Sequence, residues 1–227
     1  MDTRRTSEIW DLRIAGICLF ASLLFSFIIF QLAPRVGMLW MSHDSYEAFR
    51  HSTLTKLFYY AGTRLLVLGV CIYFTKVRSR QDFVSSFALL ASPFRLWLLS
   101  ALSGICVAFT LKLIEPGASG HIWFQTYFDV SSIALLLGPF AEEVIMRGFF
   151  YRAFRNVMPV AFSILLAFGI DALLFHYGTF RNLQALFGVA VVNVGACLFR
   201  EHSKSLWPAI SFHVAYNIPF AILACMR

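Results

Sequence analysis

The chain has 227 residues, of which 59% are hydrophobic and 14% charged, and a formal net charge of +7; its mean hydropathy is +0.72. Soluble domains carry about 25% charged residues, so these proportions exclude a soluble globular domain, a nucleic-acid binder and a disordered tail. The expected solvent is a lipid bilayer, and the basic residues, spread over short connections between apolar runs, fit membrane topology.

A membrane-spanning helix needs about 20 mostly apolar residues, and seven runs in the chain qualify. The first, Ile14 to Ala33, carries no charge and is closed by Pro34. Its flank of Arg4, Arg5 and Arg13 is that of a signal peptide, but the run is long and lacks a small-residue cleavage site, so it reads as an anchor. The second, Leu57 to Phe74, contains Arg64. The third, Pro93 to Ile114, is bounded by Lys112 and the turn-forming Glu115, Pro116 and Gly117. Ser131 to Phe154, Pro159 to Tyr177, Leu183 to Phe199 and Leu206 to Cys225 follow with short links, which predicts antiparallel neighbours in one bundle. No internal repeat or low-complexity linker divides the chain. The expectation is an all-α, polytopic transmembrane bundle of about seven helices, forming a single integral membrane domain over residues 1–227. Cys18, Cys71, Cys106, Cys197 and Cys225 lie in apolar stretches without CxxC spacing and read as small hydrophobes.

With the N-terminus inside, cytoplasmic segments hold eleven basic residues, from Arg4, Arg5 and Arg13 through Lys76 to Arg95 and on to Arg200 and Lys204, and outer segments hold six. The positive-inside rule therefore predicts a multi-pass protein of the plasma membrane with a cytoplasmic N-terminus.

The fourth run carries three ionisable groups within six residues, Glu142, Glu143 and Arg147. Each such group costs about 2.5–3.5 kcal/mol at the bilayer centre, against about 0.3–0.6 recovered per Leu or Phe. They must face a polar interior. Glu143 and Arg147, four apart and acid first, stack on one helix face as an ion pair, and a structural role suffices for them. Glu142 lies about 100° away around the helix and is left without a local partner, a setting that suits a general base. Its insertion cost favours a functional reading. Gly138 and Pro139 just before it are expected to kink or restart the helix. Two later helices supply complementary groups: His213 and Asn217, four apart on one face, and His176 at the end of the fifth run. Taken singly, His213 and Asn217 serve equally as interhelical hydrogen-bond partners and His176 as an interfacial histidine. Asp171 and Arg64, also embedded, are read as pairing or snorkelling groups with no chemistry. His43, His51, His121 and His202 fall in connections and read as solvated.

Glu-Glu-x-x-x-Arg, then a helix-borne His, then His-x-x-x-Asn resembles the CAAX protease and bacteriocin-processing family of intramembrane glutamic proteases. The extended contexts carry the likeness: Pro139-Phe140-Ala141-Glu142-Glu143 through Arg147-Gly148-Phe149, Tyr151-Arg152, and Leu206-Trp207-Pro208-Ala209 before His213 and Asn217. It covers about residues 131–217, the expected catalytic core. One motif departs: the family's Phe-x-x-x-His is here Ala172 four residues before His176, with phenylalanines at 168 and 175. The resemblance implies that Glu142 activates a water for attack on a peptide carbonyl. It implies that Glu143 and Arg147 support the helix, that His176 positions the water or assists the base, and that His213 and Asn217 stabilise the oxyanion. It implies a protein or peptide substrate with a membrane-associated segment, cleaved at a C-terminal tail, an anchor or a leader, with no cofactor, no metal and no nucleic acid. Two other classes compete. Glu142, His176 and His213 offer ligands for a zinc-dependent membrane protease, although no HExxH is present. Embedded carboxylates also suit a non-enzymatic transporter or membrane scaffold.

Counting residues from the ends of the runs puts Glu142 about 16 Å below the outer surface, His176 about 25 Å above the inner one and His213 about 10 Å above the inner one. The levels disagree by several turns. A cavity sloping from Asn217 through Glu142 toward His176 would open to the non-cytoplasmic face.

Overall fold

A computed structural model of the protein describes residues 12–28, 53–78, 87–114, 132–176, 180 and 182–225, with single positions between 35 and 45. These residues form seven helical rods and no strand: α1 (Leu12–Phe27), α2 (Thr53–Arg78), α3 (Phe94–Ile114), a composite rod, α6 (Val160–Leu174), α7 (Leu183–Ser203) and α8 (Trp207–Cys225). The composite rod runs from α4 (Ser132–Glu143) through a π-helical segment, Val144–Phe150, into α5 (Tyr151–Arg155). The all-helical bundle expected from the runs is therefore found. His43, His51, His121, Tyr177 and the chain between the second and third runs at 79–86 lie outside the described residues.

Helix ends follow local chemistry. The Asn182 side chain caps α7 by accepting from the backbone N–H groups of Gln184 and Ala185, at 3.0 and 3.2 Å. Lys204 closes α7 in the left-handed region, at φ 55°, and donates its N–H to the Arg200 carbonyl at 3.0 Å. Pro159 stands just before α6, and Pro208 in the first turn of α8, where a missing N–H costs nothing. Thr75 and Ser163 turn their hydroxyls back on the preceding turn, to the Cys71 carbonyl at 2.7 Å and the Pro159 carbonyl at 3.0 Å. Neither donor is then left unpaired against hydrocarbon.

Three connections meet at one end of the bundle. Leu206 N–H donates to the Ala88 carbonyl at 2.8 Å, Trp207 Nε1 to the Leu89 carbonyl at 3.2 Å and Ser205 Oγ to the Leu90 carbonyl at 2.5 Å. The rings of Trp97 and Trp207 stack with centroids 5.2 Å apart. Beside them, Tyr151 Oη and Arg155 Nε both donate to Glu201 Oε1, at 2.9 and 2.6 Å. Arg95, Arg152, Arg155, Arg200 and Lys204 all belong to the helix ends and links on this side, which is the basic end.

Close packing depends on glycine where helices cross. A Cβ on Gly104 of α3 would meet the backbone of Phe212 and Tyr216 on α8, and one on Gly195 of α7 would enter the Phe212 ring. Without a hydrophobic driving force between helices in lipid, such small residues allow the backbones to approach. The opposite faces are apolar and exposed: Phe94, Leu98, Leu102 and Phe109 on α3, Phe162, Leu165 and Leu173 on α6, Phe187 and Leu198 on α7. Among the described residues, two helices are long and apolar enough to cross a membrane, Phe94–Leu111 and Leu183–Ser203. The α6 helix has 15 residues and rises only about 22 Å, less than the roughly 30 Å of a hydrocarbon core.

Candidate active site

The site is built where the composite rod changes its winding. Pro139 lies inside α4 and removes one backbone donor. From Val144 the rod is π-helical, and at its end the Tyr151 N–H reaches back to the Met146 carbonyl, five residues earlier. The backbone stays in the right-handed helical region at both joints, Glu143 and Tyr151. Widened turns of this kind recur at functional sites. Here the widened stretch begins directly after Glu142 and Glu143, and every one of its residues is buried.

Glu142 is 2% exposed and stands at the centre of the polar interior. Its Oε2 lies 3.8 Å from His176 Nε2 and 3.8 Å from His213 Nε2. Both separations are longer than a direct hydrogen bond and short enough for one small polar group to address all three side chains. Its Oε1 accepts from Arg64 Nε of α2 at 2.6 Å, and Arg64 Nη2 pairs with the same oxygen. Glu142 is therefore not the partnerless carboxylate that its own helix suggests, and Arg64 is no snorkelling residue: it is buried and ion-paired inside the site.

Glu143 also has more to do than hold Arg147. Its Oε1 is 3.1 Å from Arg147 Nη1, with both side chains fully buried, and 2.8 Å from His213 Nδ1. The imidazole of His213 thus spans the two glutamates, Nδ1 to Glu143 and Nε2 to Glu142. A carboxylate at hydrogen-bond distance fixes the ring's orientation and assigns the proton to Nδ1. Asn217, one turn along α8, is half-buried. Asp171, assigned no chemistry from the sequence, accepts from Asn193 Nδ2 of α7 at 2.5 Å and lies 4.0 Å from His176 Nε2. The ligand atoms of Glu142, Asp171 and His176 lie within 4.8 Å of one another.

The depths that disagreed along the chain coincide in the fold. The α6 helix stops short of a full crossing, and His176 lies two residues past its last helical residue, so it remains at the level of Glu142. Irregular backbone at membrane depth is tolerated only against protein or a water-filled cavity. Ile145, Met146, Phe149, Phe150, Phe87 and Leu206, all fully buried, belong to one apolar cluster; the first four follow Glu142 along the rod, toward Tyr151 and Arg155.

Residues 124–219 match the family model described as Type II CAAX prenyl endopeptidase Rce1-like. That match agrees with the resemblance to the CAAX protease and bacteriocin-processing family read from the sequence. No curated protein and no solved structure gives a significant match. The Rce1-like segment contains Glu142, Glu143, Arg147, His176, His213 and Asn217, and its family supports membrane-embedded endopeptidase activity in general. Arg64, on α2, lies outside it. The departure at Ala172 does not displace His176, whose ring still faces Glu142. Arg64 was legible through its insertion cost, the same signal that singled out Glu142. Asp171 carries that signal too; no sequence pattern connects it with Asn193.

Proposed function

We propose that the protein is a glutamic-type intramembrane endopeptidase in which Glu142 is the general base. The observation that carries this reading is the convergence of two imidazole Nε2 atoms on Glu142 Oε2, each at 3.8 Å, inside a buried polar interior. A water bonded to Oε2 gives its proton to Glu142 as its oxygen attacks the scissile carbonyl. His176 holds that water. Asn217 donates to the oxyanion, joined by His213 Nε2 in the doubly protonated imidazolium whose Nδ1–H is held by Glu143, and the leaving amine takes the proton back from Glu142 as the C–N bond breaks. General-base assistance contributes about 10²–10⁴ in rate and each oxyanion donor about 10²–10³. No cofactor enters this scheme. The catalytic core spans residues 131–217 within a single membrane domain.

The substrate is a protein or peptide with a membrane-associated segment. With the basic end in the cytoplasm of a plasma-membrane protein, the buried apolar residues that follow Glu142 along its rod lie between the site and that side. The partly exposed His176, by the link between α6 and α7, faces the other. This supports access from the non-cytoplasmic face and a substrate that is the tail or anchor of an exported protein. A comparison of membrane-protein termini in cells carrying the wild-type chain or Glu142→Gln tests the reading. New termini present only with the wild type are expected; identical sets of termini would reject it.

A metal-dependent reading draws on the cluster of Glu142, Asp171 and His176. The Arg64 guanidinium bonded to Glu142 disfavours a dication there, since like charges repel strongly in a low-dielectric interior. Cleavage that persists in a strong chelator is expected, and loss restored by zinc would favour the metal.

A further inference from the structure

We infer that Arg64 is a positioning residue of this site, which holds one oxygen of Glu142 so that the other faces the two histidines. The inference rests on the proposed role of Glu142 as base.

The geometry differs from that of a merely structural pair. Arginine–carboxylate pairs are frequently fork to fork, one donor to each oxygen, which holds both oxygens equally. Here Nε and Nη2 both address Oε1, and Oε2 is left 3.8 Å from His176 and His213. The carboxylate is thus fixed in rotation and its reactive oxygen is aimed.

The same guanidinium lies over the Phe175 ring, 5.1 Å from its centroid, a favourable cation–π distance. Phe175 is buried and immediately precedes His176. One side chain therefore sets both members of the Glu142–His176 contact: the glutamate by hydrogen bond, and the histidine through the corner that ends α6. Because Arg64 comes from α2, the working site extends beyond residues 124–219 and includes the second helix.

A lysine at this position keeps the charge but loses the planar fork and the stacking face. A glutamine loses the charge as well. Misplacing a reacting group by about 1 Å costs about 10²-fold in rate, so the effect belongs in kcat and not in KM.

The test uses the full chain in lipid nanodiscs and a peptide spanning a cleavage site found in the terminus comparison. Wild type, Arg64→Lys, Arg64→Gln and Glu142→Gln are measured together, with thermal stability of each. Arg64→Gln is expected to lower kcat about 10²-fold and Arg64→Lys about 10-fold, with KM within about threefold of wild type. If Arg64→Gln fails to fold, the charge-preserving Arg64→Lys decides between the two outcomes. Wild-type kcat in a folded Arg64 variant, with Glu142→Gln inactive, overturns the inference and leaves the proposed function standing. Full activity in Glu142→Gln ends both.

Discussion

Removing Arg147 separates what the buried ion pair does for folding from what it does for catalysis. Arg147 and Glu143 are both fully buried and 3.1 Å apart. Glu143 Oε2 has no hydrogen-bond partner among the described residues, so the pair supplies most of the compensation for both charges. In Arg147→Met, Glu143 becomes a buried carboxylate with only the His213 contact, and breaking such a pair costs about 3–5 kcal/mol. For a chain of this size that corresponds to a drop in Tm of about 6–20 °C. Replacing both partners by uncharged groups of similar volume is often neutral or stabilising, so Glu143→Gln with Arg147→Met should return Tm to near the wild-type value. Activity should not return with it, because His213 Nδ1 then lacks the carboxylate that orients its ring. Melting of detergent-purified protein by intrinsic tryptophan fluorescence, followed by turnover of the same samples, reads both quantities. Wild-type Tm in Arg147→Met would refute the reasoning on stability. Full activity in the double variant would refute the role of Glu143.

Asn217→Ala should lower kcat about 10²–10³-fold and leave KM nearly unchanged, as an interaction made in the transition state requires; a defect confined to KM would move Asn217 to substrate binding. Gly104→Val should reduce the yield of folded protein, since its side chain would press on the Phe212 backbone, which cannot yield as a flexible side chain does; overpacking of this kind costs about 1–3 kcal/mol or more, and wild-type stability would contradict the close crossing of α3 and α8. A single cysteine at Tyr177 or Gly178, in a cysteine-free background, should react with a membrane-impermeant thiol reagent added outside intact cells; labelling only after the cytoplasm is opened would reverse the topology.

The helices were legible because spans are written as charge-poor runs; apart from the first run, whose expected end at Ala33 lies outside the described residues, the rods fall within a few residues of them. Glu142, His176 and His213 were legible as groups too costly to face lipid. The connections between them were not. Arg64 and Glu142 are 78 residues apart in sequence, and no periodicity relates them. Around their own helix Glu142 and Glu143 point about 100° apart, yet His213, arriving from α8, touches both. Depths counted along the chain disagree because counting assumes that every helix crosses fully and that every residue rises about 1.5 Å. The short α6 and the π-helical stretch after Glu143 break those assumptions.

The central claim is that Glu142 activates the attacking water. Glutamine keeps the shape and hydrogen-bonding capacity of the side chain but cannot take the proton. Turnover of one peptide by purified wild type and Glu142→Gln, each shown to be folded by its melting curve, is the direct measurement. A loss of at least about 10²-fold in kcat is predicted for the folded variant; cleavage at the wild-type rate would contradict the claim.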